Sequence, residues 1–173
     1  MELATAVNLI QEGIKGNTEP QTWADLGAGS GLFSLALAET LPPASTIYAI
    51  DQQPTAPIRW THPDTKLVQI TSDIRDDLGL PLLDGALMAN VLHFLPDQKA
   101  FMRKFRKQLT ENASMIVVEY NTTRANRWVP YPISLDQIKK LASELGMAAR
   151  LLGTEPSKFN SGSLYSVLLS PAK

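Results

Sequence analysis

The chain has 173 residues, enough for one domain with a sizeable core. Its 44% apolar and 19% charged residues exclude a disordered chain, and no apolar run is long enough to span a bilayer. A net charge of −1 argues against a general polyanion binder, and the lack of cysteine excludes disulfides, thiolate metal sites and thiol nucleophiles.

The opening "MELATAVNLIQEGIKGN" has no basic stretch ahead of its apolar residues, so no secretory signal is expected, and a cytoplasmic location fits. Leu3, Ala6, Val7, Ile10 and Ile14 recur at helical spacing, which predicts an amphipathic N-terminal helix within residues 1–16. "QTWADLG" reads as a strand stopped by Gly27, and Ser30 to Thr40 as a mostly buried helix ended by Pro42 and Pro43. "STIYAID" is a short strand ending at Asp51. The three prolines of "QQPTAPIRWTHP" leave room only for a short helix or an irregular loop before the strand "KLVQITSD", which ends at Asp73. "GALMANVL" is apolar enough for a central strand covered on both faces.

In "PDQKAFMRKFRKQLT", Asp97 caps a helix whose Phe101, Phe105 and Leu109 repeat every four residues. Its Lys99, Arg103, Lys104, Arg106 and Lys107 read as a solvated outer face, not a nucleic-acid surface. "ASMIVVEY" is the next strand. "SLDQIKKLASELG" is a helix with Ser134 as N-cap and Gly146 at C′. "AARLLGTE" and "SLYSVLLSP" close the chain as two strands joined by a polar loop, an antiparallel edge. No repeat or linker divides residues 1–173, so one domain is expected.

Strands alternating with helices imply a mostly parallel sheet, which binds ligands beyond the carboxyl ends of its strands. Asp25, Asp51, Asp73 and Asn90 all fall at such ends. In "DLGAGSG", Gly27, Ala28, Gly29 and Gly31 form a turn that lets backbone approach a ligand. A pyrophosphate there would be repelled by Asp25, whereas an ammonium and a sulfonium would be attracted. Asp51 and Gln52 stand where ribose hydroxyls are bound. Asp73 can accept from an adenine amino group while Ile74 packs on the ring. For each acid alone, the competing role is a cap or turn former.

"DLGAGSG", "AID", "SD" and "ANVLHFL", in that order, resemble the class I S-adenosylmethionine-dependent methyltransferases, from about residue 20 to the end. The resemblance implies a Rossmann-like α/β fold with a seven-stranded sheet of order 3-2-1-4-5-7-6, its last strand antiparallel, and helices on both faces. It also implies S-adenosyl-L-methionine as cofactor, with S-adenosyl-L-homocysteine as product. Asp25 and the Gly27–Gly31 loop would face the methionine part, Asp51 the ribose and Asp73 the adenine, with Asn90 and Val91 under the sulfonium. The abbreviated second crossover and the short N-terminal helix depart from the pattern.

Methyl transfer from a sulfonium needs mainly collinear positioning, plus a base where the acceptor must lose a proton. His93 is the candidate base, against a plain polar loop role. The segment 119–134, "EYNTTRANRWVPYPIS", is the candidate acceptor side, through Tyr120, Arg124, Arg127, Trp128 and Tyr131. Two histidines without cysteine offer no metal spacing, so no metal is expected, and His62 is given no role. The expected function is methyl transfer to a small-molecule acceptor. The competing readings are a non-catalytic S-adenosylmethionine-binding module or partner subunit, and an NAD-linked oxidoreductase. The latter is disfavoured because the loop reads GxGxG, not GxGxxG.

Overall fold

Side chains on the central strands alternate between two buried faces, and helices cover both. A computed structural model describes residues 1–14, 16, 18–53, 57–157 and 162–172. The elements are α1 (Leu3–Ile14), β1 (Thr22–Leu26), α2 (Leu32–Thr40), β2 (Thr46–Asp51), β3 (Lys66–Thr71) and β4 (Leu83–Ala89). They continue with α3 (Gln98–Phe105), β5 (Leu109–Tyr120), α4 (Leu135–Glu144), β6 (Met147–Pro156) and β7 (Ser163–Pro171). β1 pairs in parallel with β2 and β4, β3 and β5 extend the parallel set, and β7 runs antiparallel to both β5 and β6. The order β3-β2-β1-β4-β5-β7-β6 and the reversed last strand match the expectation.

Period-two alternation sorts the core. Trp23, Ile47, Leu87, Ile116 and Val118 face α1 and α2. Ala24, Ala86, Met88, Met115 and Val117 face α3 and α4 with Phe101, Phe105, Ile138 and Leu141. Each fully buried large apolar side chain contributes about 1.5–3 kcal/mol, so the two faces hold the β1–β4 centre rigid. Asp97 caps α3 by accepting from Ala100 N–H at 2.8 Å. Ser134 and Gln137 form a reciprocal capping box on α4, and Gly146 past its end takes φ 68°.

Several boundaries differ from the sequence reading, and α2 begins at Leu32 instead of Ser30 because Gly31 is its N-cap. β3 stops at Thr71, because Asp73 turns the chain by accepting from Arg75 N–H at 2.9 Å. β4 begins at Leu83, and Asn90 lies just beyond it at φ 57°. The third helix ends at Phe105, followed by a 3₁₀ turn over Arg106–Gln108. Leu109 opens β5 instead, paired with Leu83, and still packs on the core face. The basic face is also less free than expected. Lys99 pairs with Glu144 at 2.6 Å, Lys104 donates to the Arg75 carbonyl at 2.5 Å, and Arg106 donates to the Leu145 carbonyl at the end of α4.

In the second crossover, residues 57–65 contain no helix, while Pro54, Thr55 and Ala56 lie outside the described residues, as do residues 158–161 of the last loop. No helix among the described residues is long and apolar enough to cross a membrane.

Gly85 of β4 lies against the buried Trp23 indole of β1, and a Cβ built there would overlap the ring. Gly85→Ala should lower unfolding free energy by about 1–3 kcal/mol, the usual cost of overpacking. Urea denaturation of the two chains measures the difference, and equal midpoints would contradict this packing.

Candidate functional site

The turn from β1 to α2 sets the geometry of the carboxyl edge. Gly27 and Ala28 both donate to the Ile50 carbonyl, at 2.7 and 2.9 Å, which locks the loop to the end of β2. Gly27 has φ 72°, and a Cβ there would press into Val91. Gly29 differs: at φ 51°, no atom of the described residues comes within 4 Å of where its Cβ would stand. Its N–H donates to Asp51 Oδ2 at 2.9 Å, while Asp51 Oδ1 accepts from Gln53 N–H at 2.9 Å. Gly31 is the N-cap of α2. The Asp51 carboxylate is therefore fixed by two backbone donors and keeps lone pairs for a ligand.

A cavity of about 390 Å³ opens beside this turn. Gly27 contributes from the loop, Asp51 and Gln52 from the end of β2, Asp73 and Ile74 from beyond β3, and Asn90 and Val91 from beyond β4. Arg75, Phe94 and Leu95 also line it, and none of the three was singled out in the sequence. Ala28 and Gly29 line a smaller adjoining crevice with Asp51. Asn90 takes a left-handed conformation that asparagine tolerates, and its Oδ1 is buried without a hydrogen-bond partner. Such an atom normally costs stability unless a ligand or water satisfies it.

Asp25 does not line the cavity. It lies beneath the loop, 1% exposed, where Ser34 Oγ of α2 donates to its Oδ2 at 2.6 Å. Burial raises its pKa from 3.8 to about 6, against the lowering by the Ser34 bond and with a further push from Asp51. Asp73 is held at about 2, chiefly by hydrogen bonds from the Arg75 side chain. Both Asp73 oxygens are engaged by that guanidinium.

A second cavity, of about 550 Å³, adjoins the first through Asn90 and Phe94. His93, Tyr120, Asn126, Trp128 and Val129 complete it. His93 lies in the 3₁₀ turn Leu92–Phe94 and is 3% exposed. Its Nδ1 is 2.7 Å from Glu119 Oε2, and its backbone N–H is 3.3 Å from Oε1. Glu119, 1% exposed near the end of β5, was missed in the sequence. Its signal was an acid at the end of the apolar run "MIVV".

Of the acceptor-side residues, Tyr120 and Trp128 line this cavity, whereas Arg124, Arg127 and Tyr131 do not. Trp128 is 74% exposed, with the Arg127 guanidinium 5.3 Å from its ring centre. Val129 packs inward, and Tyr131 N–H donates to the His93 carbonyl at 2.9 Å. His62 stands 3.8 Å from Glu39, away from both cavities. No group of three metal-ligating side chains occurs among the described residues.

A family model described as a methyltransferase domain matches residues 24–115, just over half of the chain. No curated protein matches it in sequence. Among solved structures, it superposes on the 1,6-didemethyltoxoflavin-N1-methyltransferase of Burkholderia thailandensis, crystallised with 1,6-didemethyltoxoflavin and S-adenosylhomocysteine. The TM-score is 0.75 at 14% identity, over 99% of this chain and 78% of that one. The magnesium protoporphyrin IX methyltransferase of Synechocystis with bound S-adenosylmethionine gives 0.71 at 15% identity, over 98% and 79%. A methyltransferase from Aquifex aeolicus, described as S-adenosylmethionine-dependent, gives 0.68 at 16%, over 99% and 100%. At these identities the likeness carries the fold.

An acid with a raised folded pKa contributes its full stability below its unfolded value of 3.8 and loses it as pH rises through about 6. Ionised Asp25 therefore costs about 2–3 kcal/mol at neutral pH. Asp25→Asn should gain about 1–3 kcal/mol of unfolding free energy at about pH 7.5 and almost none at about pH 4. Denaturant titrations at both pH values test this, and a gain independent of pH would contradict it.

Proposed function

The chain belongs to the methyltransferase domain family, and on that premise we propose that it moves a methyl group from S-adenosylmethionine to a small-molecule acceptor. The observation that carries this reading is the single cavity into which Asp51, Asp73 and Asn90 converge from three strand ends beside the open Gly29. The residues fit the cofactor. Asp51, fixed by two backbone donors, has lone pairs for both ribose hydroxyls. Ile74 offers an apolar surface for adenine, and Asp73, bridged to Arg75, keeps acceptor capacity beside it. Asn90 and Val91 would lie beneath the sulfonium, which would give the Asn90 Oδ1 a polar neighbour it lacks among the described residues. The loop of Gly27, Ala28, Gly29 and Gly31 would carry the methionine part, with Gly29 leaving its backbone bare, and Gln52 would close the ribose side.

Asp25 acts through its field, since it is walled off under the loop. With Asp51 it forms a paired negative region that the ligand's ammonium and sulfonium would relieve, favouring the ionised form of Asp25. The pyrophosphate of a dinucleotide would meet charge of its own sign there and be repelled.

When bound, S-adenosylmethionine supplies a methyl group already activated on sulfur. The chain's residues then have two tasks. They hold the acceptor in line, which is worth up to about 7–11 kcal/mol in well-oriented systems, and they keep water out. His93 is the proposed base, in the cavity that continues past Asn90. Tyr120 and Trp128 flank the acceptor there, while Arg124, Arg127 and Tyr131 act at most from its outer rim.

S-adenosylmethionine and S-adenosylhomocysteine should each raise the thermal midpoint, with a stabilisation of about 2.7 kcal/mol at a hundredfold excess over Kd. NAD should give no shift. Gly29→Val, which forces a β-branched residue into left-handed backbone, should abolish the shift; a shift of normal size in that variant would remove the loop from the site. His93→Ala should slow turnover by about a hundredfold or more with the shift intact, the loss expected for a general base. Steady-state kinetics alongside the melting curves separates the two effects.

A further inference from the structure

The acceptor cavity has a composition that selects its occupant. Phe94, Tyr120 and Trp128 give it aromatic walls, and Asn90 and Asn126 give it neutral polar ones. Among the described residues no lysine, arginine or acid lines it, and the ionisable groups that do are Tyr120 and His93. Both nearby arginines stay outside, Arg127 being stacked on the ring of Trp128. A carboxylate or phosphate on the acceptor would thus lose its hydration without gaining a cation.

Behind His93 lies Glu119, and the pair is buried, at 2.7 Å. Against a carboxylate Nδ1 is the donor of this contact, and in the neutral ring that leaves the lone pair on Nε2. Glu119 also holds the His93 backbone N–H, which fixes ring and main chain together. The imidazole is therefore set as a proton acceptor, and the charge it gains is balanced by a neighbour already in place.

We propose that the cavity bounded by Phe94, Tyr120 and Trp128 binds an uncharged planar aromatic acceptor bearing a weakly acidic O–H or ring N–H, with Glu119 positioning His93 to take that proton. The proposal rests on the methyltransferase reading. As the acceptor heteroatom bonds the methyl carbon, the carbon–sulfur bond breaks with its electron pair left on sulfur, and the acceptor proton passes to Nε2 of His93. Positive charge thereby moves from the sulfonium to the imidazolium beside Glu119. A simple packing role for Glu119 would not require an aromatic cavity in front of the histidine it holds.

The test uses 4-nitrophenol as probe, with the full chain, both free and saturated with S-adenosylhomocysteine, at a pH below the phenol's own pKa. Saturable binding should produce more of the yellow anion than buffer does. Neutral 4-nitroanisole, with no proton to give, should displace the probe, and 4-nitrobenzoate should not. Trp128→Ala should weaken both nitrophenol and nitroanisole about tenfold. Glu119→Leu should remove most of the colour while leaving nitroanisole binding within about twofold, and nitrogen-15 NMR should show His93 losing its fixed Nδ1–H tautomer. Should that variant not fold, Glu119→Gln keeps an oxygen for Nδ1–H and removes the charge, and the colour must fall there too. Equal competition by 4-nitrobenzoate, absence of saturable nitrophenol binding, or unchanged colour in the folded Glu119 variant overturns the proposal. A missing thermal shift with S-adenosylhomocysteine strikes instead at the methyltransferase reading, and the free-chain titration still judges the cavity.

Discussion

The structure turns on a carboxylate kept out of water. Asp25 sits at the penultimate position of β1, beneath a loop of three glycines, held by hydrogen bonds from the Ser34 hydroxyl and backbone. Burying an ionisable acid there works against folding at neutral pH, as its raised pKa records. The surrounding sheet makes the cost tolerable. β1 is paired in parallel on both sides, and its neighbours are covered by helices on both faces. A rigid centre can hold a destabilised group at its rim, and such groups mark sites where a ligand supplies what the protein withholds.

The same rim organises the rest. Because β1, β2, β3 and β4 run in one direction, their following residues collect on one edge of the sheet. Asp51, Asp73 and Asn90 arrive together there despite being far apart in the chain. The backbone supplies the finishing constraints: Gly29 N–H orients Asp51, and the Asn90 N–H reaches the Val118 carbonyl of β5 at 2.8 Å. Asn90 and Phe94 then border both the cavity assigned to the nucleoside and the one assigned to the acceptor, so the two compartments meet at this pair.

Much of this was legible from the chain alone, for a physical reason. A residue at the end of an apolar strand has its position fixed by the strand, so Asp51 and Asn90 could be placed without coordinates. The glycine pattern worked likewise, since Gly27 has no room for a side chain and Gly29 faces open space. What failed depended on partners distant in sequence. Leu109 kept helical spacing with Phe105, yet pairing with Leu83 drew it into β5. Arg75 gave no hint that it would occupy both oxygens of Asp73. Glu119 lies 26 residues from His93, and only the adjacency of β4 and β5 brings them together. Arg124 and Arg127 do not line the second cavity, since composition cannot say which way an exposed side chain turns.

One side chain described by neither pattern nor motif ties the acceptor side together. The Gln98 amide nitrogen, at the start of α3, donates to the Leu92 carbonyl at 2.9 Å and to the Tyr131 carbonyl at 2.8 Å. The turn carrying His93 and the loop carrying Trp128 are thus stapled by this carboxamide, alongside the Tyr131 N–H bond to the His93 carbonyl. Acceptor preference in such an architecture drifts by exchanging rings on a fixed frame, whereas a change at that staple would re-space the frame itself and alter many preferences at a stroke.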